Sequence, residues 1–197
     1  MSEDKRPIGA EGAAPRWSPV IVGLHWLAAA LILGLIALGW FMVHWEADAA
    51  RRFDLYQAHK SLGFVALALF LARLVARAAT RAPPPLQAMP LWEQRAAALA
   101  HGALYALALI APLTGWLVVS SAIVAIPTRF FDLFVIPNLP GVSTAQFDAA
   151  TTAHFLAVWL LAALVALHVA AALKHRLVDR DAIWSRMAPR WLGRRDG

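Results

Sequence analysis

Three stretches of the chain carry no formal charge for longer than a lipid bilayer is thick: residues 19–43, 96–126 and 149–173. A helix that crosses a membrane needs about 20 mostly apolar residues, and each stretch exceeds that. A fourth apolar stretch, about 54–79, is broken by Lys60 and Arg73, which leave 12 uncharged residues between them. Long cationic side chains near the ends of a span reach back to the interface, so this stretch is read as spanning; a re-entrant or surface helix is the alternative. The pattern predicts an all-α membrane protein, a bundle of four transmembrane helices at about 19–43, 54–79, 96–121 and 149–174. It forms a single domain over 1–197 with short tails. Pro112 and Gly115 predict a kink in the third helix.

Between the spans, residues 82–89 contain three consecutive prolines and read as an extended linker. Residues 127–147 form the long outer loop, where Phe130, Phe131, Phe134 and Ile136 are apolar enough to lie in the interface and cap the bundle. Trp17, Trp40, Trp45, Trp92 and Trp184 fall at expected interfaces and read as anchors. The first apolar block is longer than the roughly 7–15 residues of a signal-peptide core, so it is expected to remain as an anchor.

Composition sharpens the class. The chain is 60% hydrophobic and 15% charged, against about 45–50% and 25% in soluble domains, which excludes a disordered chain, a coiled coil and a soluble globule. The absence of Cys excludes disulfides, thiolate metal sites, Fe–S clusters and covalently attached haem. The net charge of +6 does not point to nucleic acid, because the cations are sorted by side. With the N-terminus inside, 14 of 18 Lys and Arg fall on one face, leaving Arg51, Arg52, Lys60 and Arg129 on the other. By the positive-inside rule both termini are cytoplasmic.

Five of seven histidines, His25, His59, His101, His154 and His168, fall within or at the ends of the spans. An ionisable residue there defaults to a functional reading, although any one alone reads equally well as a hydrogen-bonded packing residue. His154 and His168 lie about 40° apart in azimuth and about 21 Å apart along one helix. They share a face at two depths. His59 matches the outer level and His25 the inner, so two facing imidazoles at each of two levels describe two bis-histidine haem sites. His101 competes with His25 as the inner partner. His44 lies off the His25 face and reads as interfacial. Gly63, one turn after His59, leaves space for a flat macrocycle or for close helix packing. Lys60, Arg51, Arg52, Arg73 and Arg77 are candidates for haem propionates, or else snorkelling cations. His175 continues the His168 face toward the cytoplasm, a candidate for a site beyond the inner haem.

The stretches RWSPVIVGLHW around His25, HKSLGFVALALFLARLVAR from His59, PLTGW at 112–116, HFLAVWLLAALVALH from His154 and ALKHRLVDRDAIWSRMAP from Ala172 together resemble the prokaryotic cytochrome b561 family. The resemblance covers about residues 16–190. It implies a four-helix di-haem protein of the bacterial inner membrane, with His25 and His168 ligating the inner haem b and His59 and His154 the outer. It also implies a link to ubiquinone or another quinone, with His175 at the position of a quinone-side histidine.

The leading functional expectation is a transmembrane electron carrier between a periplasmic donor and membrane quinone, in the lipid bilayer and without nucleic acid. A quinone-linked oxidoreductase that takes superoxide as donor, a superoxide oxidase, is the alternative. It needs a basic outer funnel, for which Arg51, Arg52, Lys60 and Arg129 are offset by Glu46, Asp48, Asp54, Asp132 and Asp148. A haem-free scaffold or transporter is the third reading, and a visible spectrum separates it from the others.

Overall fold

The computed structural model describes residues 15–44, 48–84, 90–124 and 126–189. Lys5, Arg6, Trp45, Glu46, Arg190, Arg194, Arg195 and linker residues 85–89 lie outside the described residues. Four long helices dominate: α1 (Pro19–His44), α2 (Ala49–Ala79), α3 (Leu91–Ser121) and α4 (Phe147–Lys174). All four are long and apolar enough to cross a membrane. Two short strands, β1 (Thr128–Phe130) and β2 (Phe134–Ile136), pair antiparallel between α3 and α4, and a one-turn helix α5 (Ile183–Met187) follows α4.

Local chemistry sets the helix ends. Ser18 precedes Pro19, and its Oγ accepts from Ile21 N at 3.4 Å, a serine cap before a first-turn proline. Asp48 caps α2, its Oδ1 accepting from Arg51 N at 2.9 Å. α2 therefore starts ahead of its apolar stretch, because a capped helix runs on through polar residues outside the hydrocarbon. α3 likewise begins at Leu91, ahead of the uncharged block. α4 is entered through a 3-10 turn, Thr144–Gln146, where Ser143 and Gln146 form a reciprocal capping box that satisfies otherwise orphaned backbone donors.

The bundle is apolar outside and sparsely filled inside. α3 packs most extensively on α4, and α1 on α2, with α2 and α3 closing a third pairing; α4 makes no contact of comparable extent with α1 or α2. The buried core among the described residues centres on Ala111, Ala157 and Leu161, with Ile32, Leu104, Leu107, Val158 and Val165 against it. Large apolar side chains such as Leu33, Val75, Leu99, Phe155 and Leu167 face outward. That is the arrangement of a bundle solvated by lipid, where helices are apolar all round.

The outer loop folds down onto α2. Gln57 and Ser61, both buried, hold its backbone: Gln57 Nε2 donates to Pro127 O at 3.0 Å, and Gln57 Oε1 accepts from Arg129 N at 3.2 Å. Ser61 Oγ donates to Arg129 O and accepts from Phe131 N, each at 3.1 Å. At the opposite end, α5 folds back over the helix termini. Trp26 donates to Met187 O at 2.9 Å and Arg186 to Pro15 O at 3.0 Å, while Arg16 reaches Ala188 O and Arg186 reaches Pro84 O.

Candidate functional site

α4 carries one imidazole at each end of the bundle, and each faces a histidine across a pair of helices without extensive backbone contact. His59 on α2 faces His154 with ring centres 6.5 Å apart and planes at 87°. His25 on α1 faces His168 at 6.2 Å and 70°. A metal bonded at about 2 Å to each of two facing imidazoles sets their ring centres about 6 Å apart, so the donor set and its spacing fit a metal held between rings at either level. The apolar cluster of Ala111, Ala157 and Leu161 belongs to the stretch between the levels: Ala157 and Leu161 lie between His154 and His168 in sequence.

The seat of the outer pair is built from glycine and a backbone carbonyl. A Cβ at Gly115 would stand 3.1 Å from His154 Cε1, and one at Gly39 would stand 3.3 Å from His59 Cε1. Only glycine lets the α3 and α1 backbones approach the rings this closely. His154 Nδ1 lies 2.9 Å from Ala111 O and 3.3 Å from Thr114 Oγ1. A carbonyl can only accept, so Nδ1 carries the proton and Nε2 presents its lone pair, the orientation that outer-sphere partners impose on metal-ligating histidines. His59 Nδ1 is buried with no hydrogen-bond partner among the described residues. PLTGW is thus a structural unit around His154. The sequence reading gives Gly115 only a kink and passes over Gly39; an added Cβ at Gly63 would meet nothing within 4 Å, so open space lies beside that turn of α2.

The inner level is arranged differently. Arg73 NH1 lies 2.8 Å from His25 Nδ1, and Arg73 Nε donates to Tyr105 Oη at 3.2 Å. Arginine only donates, so in this geometry His25 Nδ1 accepts and the ring proton sits on Nε2. Nε2 of His25 presents its lone pair only after Arg73 moves away. His101 is a second neighbour of His168, with ring centres 5.4 Å apart against 6.2 Å for His25, so three imidazoles meet at this level. Lys60 reaches the Pro127 carbonyl at 3.5 Å. His44 stacks on Trp40 at 3.8 Å.

His175 opens a single π-helical turn, His175–Asp179, that ends α4. Its Nδ1 lies 2.7 Å from Asp181 Oδ2 and 3.1 Å from Asp179 Oδ2. Lys174 pairs with Asp179 at 2.8 Å and with Glu93 of α3 at 3.5 Å. Asp179 and Asp181 were not singled out from sequence; carboxylates four and six residues after a histidine at a helix end were the available signal. Of the expected interface anchors, Trp17 lies under Arg77, with the guanidinium 4.6 Å from its ring. Trp184 is partly buried, 6.3 Å from Trp26.

Comparison with known proteins places the chain in a family. The family profile described as prokaryotic cytochrome b561 matches residues 16–190. A curated relative, cytochrome b561 homolog 2 of Escherichia coli (strain K12), is 30% identical over 172 residues, covering 87% of this chain and 90% of its own length.

Proposed function

The chain belongs to the prokaryotic cytochrome b561 family, bacterial membrane proteins that bind haem b and transfer electrons, and from that premise we propose that it holds two haems b and passes electrons from a periplasmic donor to membrane quinone. His59 and His154 ligate the outer haem, and His25 and His168 the inner. The observation that carries the reading is the pair of facing imidazoles at both levels of α4, 6.5 Å and 6.2 Å apart.

When bound, haem supplies one-electron redox chemistry, and the protein supplies its ligation, spacing and surroundings. His154 and His168 stand about 21 Å apart along α4, so haems held at the two levels would span most of the apolar layer. A haem held by two histidines would suit simple electron transfer rather than oxygen binding. His154 is held for ligation by Ala111 O. His25 would be free to ligate once Arg73 turned from its Nδ1, and the guanidinium would suit an anionic propionate of a haem held there. Lys60, now at the Pro127 carbonyl, would suit a propionate of the outer haem in the same way.

At the cytoplasmic end, His175 serves the quinone. Its Nδ1 is fixed by Asp181 and Asp179, which leaves Nε2 as the ring nitrogen to hydrogen-bond a quinone carbonyl and exchange a proton with it. On the outer face Arg51 pairs with Asp48 at 3.3 Å and Arg129 with Asp132 at 3.1 Å, so nothing in this charge pattern singles out superoxide as the donor. Both termini are cytoplasmic and the protein sits in the inner membrane.

The test is stopped-flow oxidation of the reduced holoprotein by a short-chain ubiquinone. The reading expects rapid reoxidation in the wild type and slowed reoxidation in His175→Ala with both haems retained. Unchanged kinetics in that variant would remove His175 from the quinone site.

A further inference from the structure

The outer histidine pair straddles a seam in the bundle. α1 packs on α2 and α3 on α4, whereas α4 makes no contact of comparable extent with α2. His59 belongs to the first helix pair and His154 to the second, so packing between their own two helices does not set the 6.5 Å between their rings. His154 has a separate support, the Ala111 carbonyl 2.9 Å from its Nδ1. His59 Nδ1 has no hydrogen-bond partner among the described residues, so the placement of this ring follows the placement of α2.

The loop that carries β1 and β2 crosses the seam at this level. Gln57 and Ser61 hold it from α2 through four hydrogen bonds of 3.0 to 3.2 Å, and both side chains are buried, with Ser61 only 1% exposed. Beyond β2 the same loop is tied to α3, where Trp116 Nε1 donates to Pro137 O at 3.1 Å and Ser120 Oγ accepts from Leu139 N at 3.0 Å. Gln57 and Ser61 lie about one turn apart on one face of α2. His59, two residues from each, lies about 160° around the helix from both. The loop therefore grips the back of the turn whose front carries His59, and fastens it to α3, the helix that supplies Ala111 O to His154.

We propose that this loop is a strap that sets the spacing and ring angle of the outer histidine pair, with Gln57 and Ser61 as positioning residues that act through His59. This inference rests on the reading of His59 and His154 as haem ligands. The experiment compares wild-type holoprotein with the double variant Gln57→Ala/Ser61→Ala and with Ser121→Ala. The last is a control that removes an equally buried hydroxyl whose bonds, to Leu117 O and Val118 O, stay within α3. Each protein is read by haem content, by the rate and extent of haem loss to an external acceptor, and by low-temperature electron paramagnetic resonance. The low-spin resonance of a haem held by two imidazoles reports the angle between their planes, 87° for this pair.

In the double variant the outer haem signal should shift and outer haem affinity should fall on the order of tenfold, the scale of one net hydrogen bond. The inner signal should stay in place, and Ser121→Ala should leave both signals unmoved. An unmoved outer signal with wild-type affinity in the double variant would overturn the strap and leave the ligand reading standing. An equal shift of the inner signal, or the same outer shift in Ser121→Ala, would mark general loosening of the bundle and overturn it as well. Absence of haem at the outer pair of the wild type would overturn both readings. If the double variant fails to insert in the membrane, amide exchange decides the matter, because coupling between two sites is reciprocal. Loss of the outer haem in His154→Ala must speed exchange at Arg129 N and Phe131 N, the two loop amides that Gln57 and Ser61 hold. Equal rates in His154→Ala and wild-type holoprotein overturn the proposal.

Discussion

Replacing Gly115 with alanine should damage the outer haem site while leaving the fold intact. The added Cβ would stand 3.1 Å from His154 Cε1 and 3.4 Å from Nδ1, about 0.5 Å inside comfortable carbon–carbon contact. His154 cannot simply recoil, because its Nδ1 is bonded to Ala111 O at 2.9 Å, on the same α3 turn that carries the new methyl. Either the ring tilts and loses that bond, or α3 and α4 separate. Overpacking of this size costs about 1–3 kcal/mol. Since the strain falls on one ligand of one haem, outer haem affinity should drop by about 5- to 150-fold. Gly39→Ala, 3.3 Å from His59 Cε1, should act on the opposite ring more mildly. Gly102→Ala on α3 and Gly34→Ala on α1 are matched controls, because a Cβ there meets nothing within 4 Å. The assay is haem content per chain by pyridine haemochrome, with low-temperature electron paramagnetic resonance to resolve the two low-spin signals. Retention of both signals, unshifted and at full intensity, in Gly115→Ala would refute the reasoning.

Further outcomes follow from other contacts. Ser61→Ala removes a buried hydroxyl that both accepts from Phe131 N and donates to Arg129 O, so it should cost about 1–3 kcal/mol and speed amide exchange across residues 128–136; unchanged exchange would contradict the anchoring role. Arg73→Leu removes a unit positive charge that, at about 8 Å and an effective dielectric of about 20, is worth about 2 kcal/mol. The midpoint potential of the inner haem should therefore fall by about 90 mV, and an unmoved potential in a redox titration would place Arg73 away from that haem. A reporter active only in the periplasm, fused after Gly197, should give no signal, and a strong signal would reverse the assigned orientation.

The four spans were legible because charge is excluded from hydrocarbon, and that constraint acts on each stretch by itself. The shared face of His154 and His168 was legible for a similar reason, since helical geometry alone relates two residues on one helix. Contacts between helices were not. That Gly39 and Gly115 approach histidines depends on how each helix is rotated about its axis, which no single stretch determines. The same holds for Ala111 O and for the Gln57 and Ser61 anchors of the β1–β2 hairpin, which join residues 43 or more positions apart. Helix starts were set too late where Asp48 and Pro90 open polar first turns, because hydropathy marks the edge of the hydrocarbon rather than the end of the helix. Trp184 read as an interface anchor because tail tryptophans usually are; its burial comes from α5 folding back over the helix ends.

The central claim is that two haems b sit between the two histidine pairs, and the most direct measurement is the haem-to-chain ratio of the purified protein and of two variants. The account predicts two haems per chain in the wild type and one in His59→Ala and in His25→Ala. The surviving haem should be the inner one in the first variant and the outer one in the second, each recognised by its own resonance signal. A ratio of one in the wild type, or loss of the inner haem in His101→Ala while His25→Ala keeps it, would contradict the account.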